Sequence, residues 1–236
     1  MGKRVLFVCV VLLTYICTSP VYAKKRSITV MTPFLAQPGT QLMVEAFEKA
    51  AHEKTWEVDV IDTSGDVAAL VSRMEDVVLQ KPDAIVINVD PNQIKTGLLA
   101  ARDAGIPVFG MDSGVDSLLQ ANVTSNGYVM AAETATFVVD QLNGQGNVVM
   151  FIFESYPPVQ MRGAIAESIF NNTPDLNILD KITPSFDKGP LEGARNAMEA
   201  VLNANQGKGS IQAVWVAWDN PALGAEQAIR DAGREN

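Results

Sequence analysis

Short apolar runs alternate along the chain with longer stretches in which apolar residues recur every three or four positions. Ile28 to Thr32 reads as a first strand, and Trp56 to Ile61 as a second. Between them, Pro38 and Gly39 introduce a segment with Met43, Ala46, Phe47 and Ala50 at i, i+3, i+4 and i+7, one face of a helix. Asp66 stands as an N-cap before the stripe Val67, Leu70, Val71, Met74 and Val78. Ala84–Ile87 and Pro107–Met111 are further buried strands. The helix joining them carries Ile94, Leu98 and Ala101, with Gly105 and Pro107 closing it. Ala121–Thr124 is a fifth strand or a linker.

The same alternation resumes after it. A helical stripe from Tyr128 to Leu142 leads to a strand over Asn147–Phe153, and Val159–Phe170 is the next helix. Leu176–Ile182 and Ile211–Ala217 are strands, each followed by another amphipathic stripe. Repeated β-α units with apolar strands predict parallel sheets covered on both faces. The break near Asn122–Gly127 favours two doubly wound halves over one barrel.

In such sheets, ligands bind outside the carboxyl ends of the strands. The stretch Lys81–Ser113 delivers two polar residues there, Asn88 after one buried strand and Asp112 after the next. A separation of about two dozen residues suits a right-handed βαβ crossover, which brings both ends to one sheet edge. Asp62, Asp66 and Asp90 also fall near strand ends, but helix caps or solvated loops account for them. Asp112 follows its strand so closely that it should face a cleft.

The first residues bear on the compartment. Lys3 and Arg4, the apolar run Val5–Ile16 and the small-residue site Val21-Tyr22-Ala23 form a cleavable signal peptide over residues 1–23. Both cysteines, Cys9 and Cys17, lie within it, so the mature chain expects no disulfide, a composition compatible with an oxidising compartment. Of 18 basic residues, two fall in the leader, leaving 16 against 27 acidic ones and a net charge of −11. That balance argues against a nucleic-acid partner.

Enzyme motifs are missing. The turn after the first strand, Thr32 to Gly39, has one glycine and no G-x-G-x-x-G. No phosphate-binding loop and no G-x-S-x-G occurs. His52, the single histidine, falls at a polar helix end, and neither His nor Cys partners exist for a metal. No catalytic residue, cofactor or metal is assigned.

KPDAIVINVDP, AGIPVFGMDS, Gln160-Met161-Arg162-Gly163 and AVWVAWDNPALGAEQAIRDAG together resemble periplasmic sugar-binding proteins of ABC importers, the ribose/galactose group of type I binding proteins. The resemblance covers Ile28 to Arg234. It implies two Rossmann-like lobes joined by a hinge, residues 24–125 and 126–236, with a sugar or polyol held between them. The implied ligand contacts are Gln37, Asn88, Asp112, Arg162, Phe186 and Trp218. Asn88 offers a donor and an acceptor. Asp112 and Arg162 make charge-assisted bonds, and the aromatic faces pack on a sugar ring. Alternatively, Phe186 belongs to the core, Trp218 covers a sheet edge and Arg162 pairs with an acid such as Glu154.

This chain departs from ribose binders in several places. Gly39 and Thr40 replace aromatics, Gln37 replaces Asn, Ser113 replaces Arg, and Trp218 replaces a common Asn. A solute other than ribose is therefore expected. The implied role is that of a monomeric periplasmic subunit that hands its solute to a membrane permease, with a sensor for a chemoreceptor or kinase as the alternative. The family pattern continues with a further strand and a return crossing, so the second lobe is expected to be incomplete.

Overall fold

A computed structural model describes residues 25–235; the expected leader lies outside them. The first part of the chain contains β1 (Ser27–Thr32), α1 (Pro38–Glu53), β2 (Glu57–Asp62), α2 (Val67–Gln80) and β3 (Ala84–Ile87). A 3-10 turn (Pro91–Ile94) then leads into α3 (Lys95–Asp103), β4 (Val108–Met111) and β5 (Leu119–Val123). The second part contains α4 (Gly127–Gln141), β6 (Gln145–Phe151), α5 (Pro157–Asn171), β7 (Asp175–Ile182), α6 (Pro190–Ala204), β8 (Ala213–Val216) and α7 (Asp219–Asp231).

The strands form two parallel sheets, ordered β2-β1-β3-β4-β5 and β7-β6-β8. In each sheet the chain winds outward from the first strand in both directions. Strand order therefore reverses beside β1 and beside β6, and a crevice opens at the carboxyl ends there.

Alternation along the strands explains why helices cover both faces. Ile85 and Ile87 of β3 pack with Leu70, Met74 and Leu98 of α2 and α3. Val86, between them, points the other way and joins Val30 and Val44. In β6, Val148 and Met150 meet Ala135 and Phe170, while Val149 and Phe151 meet Met198 and Ala225. Phe151 and Phe170 are fully buried, and each contributes about 1.5–3 kcal/mol relative to an exposed ring.

Element boundaries differ from the sequence expectation where local chemistry intervenes. The helix between β3 and β4 is preceded by the 3-10 turn because the Asp90 carboxylate accepts the Asn92 N–H at 3.0 Å and Pro91 follows directly. Asp66 caps α2 as expected, accepting the Ala69 N–H at 2.8 Å. Gly105 closes α3 at φ +71°, a left-handed conformation natural to glycine. Strand β6 begins two residues earlier than expected and releases its chain at Phe151, so Phe153 leaves the sheet. The segment near Asn122 is a strand, pairing with β4 through an irregular register.

Candidate functional site

Loops from the carboxyl ends of both sheets converge on one cleft of about 180 Å³. The first lobe contributes Phe34, Gln37 and Thr40 from the turn and helix start after β1, and Asp112 from the end of β4. The second contributes Phe153 and Tyr156 after β6, Arg162 from α5, Phe186 after β7, and Trp218 to Asn220 at the start of α7. Five of the six residues singled out in the sequence therefore meet in this cleft: Gln37, Asp112, Arg162, Phe186 and Trp218.

Asn88 is placed differently. Its side chain is fully buried and lies outside the cleft lining. The amide oxygen accepts from Thr32 Oγ1 at 2.9 Å and from Thr40 Oγ1 at 3.5 Å. The amide nitrogen donates to the Met111 carbonyl at 2.7 Å and to the Tyr156 hydroxyl at 2.8 Å. The donor and acceptor that suit a sugar hydroxyl are here turned inward, tying β1, β3 and β4 together and meeting a tyrosine of the other lobe.

Asp112 sits at φ +48°, in the left-handed region that Asp tolerates better than most residues. Its N–H donates to Val123 O at 2.7 Å, and its carboxylate accepts from Thr124 Oγ1 at 2.6 Å. The turn thus aims one carboxylate edge at the cleft. Ser113, where the resemblance placed a departure from arginine, is buried instead, donating to Val89 O at 2.5 Å.

On the opposite wall, Arg162 Nη1 donates to Ala217 O at 3.2 Å, and Nη2 reaches Ser125 Oγ at 3.2 Å. Among the described residues it forms no ion pair with Glu154. Its Nε is buried and has no hydrogen-bond partner within the protein. Phe153, Phe186 and Trp218 form an aromatic group. Phe153 and Phe186 have ring centroids 4.8 Å apart, and Phe186 lies nearly parallel to Trp218, 13° apart at 6.4 Å. Phe186 remains 38% exposed, so it is not a core residue.

Tyr156 crosses from the second lobe to the first. Its hydroxyl donates to the Asp112 carbonyl while accepting from Asn88, and its ring meets Phe34 edge-on at 5.3 Å. Burial, reinforced by the Asp112 charge, raises its pKa far above the ordinary phenol value, so it stays a neutral donor.

Sequence reasoning missed Phe34, Phe153, Tyr156 and Asn220. Phe34 restores an aromatic to the first-strand loop, which Gly39 and Thr40 had suggested was bare. Phe153 was absorbed into an apolar strand pattern. For Tyr156, the available signal was an aromatic in the turn after a strand, immediately before Pro157-Pro158.

His52 is exposed on the last turn of α1, away from the cleft. The polar groups and flat aromatic faces of the cleft suit reversible binding.

A family model described as a periplasmic binding protein domain matches residues 28–236. The chain belongs to this family. The ribose import binding protein of Bacillus subtilis is 28% identical over 219 residues, covering 90% of this chain and 68% of that protein. The D-apiose import binding protein of Actinobacillus succinogenes is 25% identical over 235 residues, covering 98% of this chain and 74% of that protein. Among solved structures, an ABC transporter solute-binding protein of Agrobacterium vitis with bound allitol superposes with a TM-score of 0.83 at 31% identity. That match covers 89% of this chain and 73% of the other. An ABC sugar transporter subunit of Rhodobacter sphaeroides gives 0.83 at 26% identity, covering 89% and 74%. The fold is that of the two-lobed type I periplasmic binding proteins, with three strands in the second sheet among the described residues. Proteins of this family bind solutes for ABC transport and are not enzymes. No helix of the described residues is long and apolar enough to cross a membrane.

Proposed function

We propose that this periplasmic binding protein captures a small sugar or polyol between lobes spanning residues 24–125 and 126–236, and delivers it to an ABC permease. One observation carries the reading. Among the described residues, four buried side-chain polar atoms have no hydrogen-bond partner within the protein, and three of them, Gln37 Oε1, Arg162 Nε and Asn220 Oδ1, belong to residues that line the cleft. An unpaired buried polar group costs about 1–3 kcal/mol. Three such groups converging on one cleft suit a ligand rich in hydroxyls, each of which both donates and accepts. The Asp112 carboxylate adds a charge-assisted acceptor. Phe186 and Trp218 offer flat faces to a carbon skeleton.

The relatives support the same chemistry, since two are named for import of ribose and D-apiose and one structure holds allitol. A solute that touches Asp112 and Gln37 on one side and Arg162 and Asn220 on the other stabilises the closed arrangement of the lobes. The closed form then presents a surface to the permease. The leader at residues 1–23 would carry the chain to the periplasm, where it acts as a monomer.

The test is a thermal-shift screen of pentoses, hexoses and sugar alcohols, followed by titration calorimetry. A true ligand at about a hundred times its dissociation constant adds about 2.7 kcal/mol of stability. If no sugar or polyol raises the melting temperature at millimolar concentration, the reading fails.

A further inference from the structure

The cleft ends abruptly at Tyr156. Behind the phenol lies Asn88, whose amide nitrogen is 2.8 Å from the Tyr156 oxygen and has no contact with the cleft. The ring cannot readily swing aside. Its hydroxyl is held by Asn88 and the Asp112 carbonyl, and its edge rests on Phe34. Its backbone precedes Pro157-Pro158 at the start of α5. Proline fixes φ there and pushes the preceding residue to the extended region, where Tyr156 sits at φ −131°, ψ 111°. Backbone and side chain therefore both hold the ring as a wall between the cleft and Asn88.

The remaining space is small. A cavity of roughly 150 Å³ accommodates a benzene molecule of six heavy atoms, and drug-sized pockets run to roughly 300–1,000 Å³. At about 180 Å³, the cleft encloses about seven heavy atoms by that scale, and a ligand's far end can project through the mouth that opens to solvent. A four-carbon polyol exceeds that space only slightly, and a five-carbon one projects one end into the mouth.

We propose that Tyr156 is the specificity-determining end wall of this site and restricts it to polyhydroxy compounds of four or five carbons. The inference rests on the solute-binding reading above and adds a length limit to it. Six-carbon compounds would need the space the phenol occupies, and reaching Asn88 would require breaking its bond to the tyrosine.

Calorimetric titration of the full chain with erythritol, ribitol and sorbitol tests this. Wild type should bind the better of the first two at least tenfold more tightly than sorbitol. Tyr156→Ala removes the ring, exposes Asn88 to the cleft, and should shift the ratio of sorbitol to short-polyol affinity at least tenfold toward sorbitol. Tyr156→Phe keeps the wall without the hydroxyl and should leave that ratio within twofold of wild type, whatever it does to stability. A ratio unmoved by Tyr156→Ala overturns the inference. So does a wild-type protein that binds sorbitol as tightly as the shorter polyols, a result that needs no variant to fold. Absence of binding by any sugar or polyol would instead overturn the solute-binding reading, and the length limit with it.

Discussion

On the first-lobe side of the cleft, Gln37 Oε1 is buried without a partner, but the other polar side chains in and behind the wall are largely spoken for. Asn88 is saturated by Thr32, Thr40, the Met111 carbonyl and Tyr156, and Asp112 is clamped by Thr124. On the second-lobe wall, Arg162 Nε and Asn220 Oδ1 are buried without partners, and Phe153, Phe186 and Trp218 stack loosely beside them. The same β-α architecture produces both walls. The difference lies in where the strand-end residues spend their hydrogen bonds. A wall whose bonds are made internally is rigid and sets position. The wall with more orphaned groups leans more on a ligand to complete it, and should therefore dominate affinity.

The largest effect expected from that asymmetry is at Arg162. Arg162→Met keeps the aliphatic stem and removes the unpartnered Nε together with the ties to Ser125 and to the Ala217 carbonyl. Hydrogen bonds to charged groups contribute about 1.5–3 kcal/mol, so affinity for the cognate polyol should fall about a hundredfold by calorimetry. The fold should survive, because no buried acid is left behind. A loss smaller than fivefold would mean that the second wall does not dominate.

The second lobe also carries the tightest packing behind its wall. A Cβ at Gly224 of α7 would lie 2.0 Å from the Leu191 carbonyl oxygen and 3.0 Å from the Arg195 nitrogen of α6. Both are backbone atoms and cannot rotate away. Gly224→Ala should cost about 2 kcal/mol, within the range for overpacking, and lower the melting temperature by about 6 °C. Because α7 begins at Trp218–Asn220, ligand affinity should fall with it. A variant that melts like wild type would show that the two helices separate freely, contrary to a fixed second wall.

Asp112→Asn examines the first wall. Asn also tolerates φ +48°, so the turn should persist while the charge is lost. Affinity should drop about tenfold, less than at Arg162, and stability should hardly change. If Asp112→Asn instead costs more affinity than Arg162→Met, the ranking of the walls is reversed.

These contrasts were unevenly legible in the sequence. The apolar runs Ala84–Ile87 and Val108–Met111 announced buried parallel strands, and the residues after them had to lie at the ligand-binding edge. The position of Asn88 was readable, but the direction of its hydrogen bonds was not. Its inward commitment depends on Tyr156, 68 residues away and in the other lobe. Phe153 was hidden for a different reason. An apolar residue continuing an apolar strand carries no mark of where the ladder ends, and here β6 stops at Phe151. The orphaned atoms of Gln37, Arg162 and Asn220 emerge only when three separate helix starts are brought together.

The smallest expected effect concerns the first lobe away from the cleft, and it checks whether that lobe acts as an independent support. The Asp116 carboxylate accepts from Lys95 Nζ at 2.6 Å and from the Leu118 N–H at 2.8 Å, which together hold its pKa below the usual carboxylate range. A carboxylate depressed in the folded state stabilises the fold above its unfolded pKa of about 3.9. That contribution is lost as the pH falls through the lower folded value. Lys95→Met removes the larger cause and should lower the melting temperature at pH 6 by about 1–2 °C, as expected for a partly exposed pair. The gap between wild type and variant should close progressively below about pH 4. A gap that stays constant down to pH 2 would mean the pair contributes through packing instead of charge. Ligand affinity at pH 7 should be the same in both proteins. If it is not, strain at the β4–β5 loop reaches Asp112, and the first wall is less self-contained than its hydrogen bonds imply.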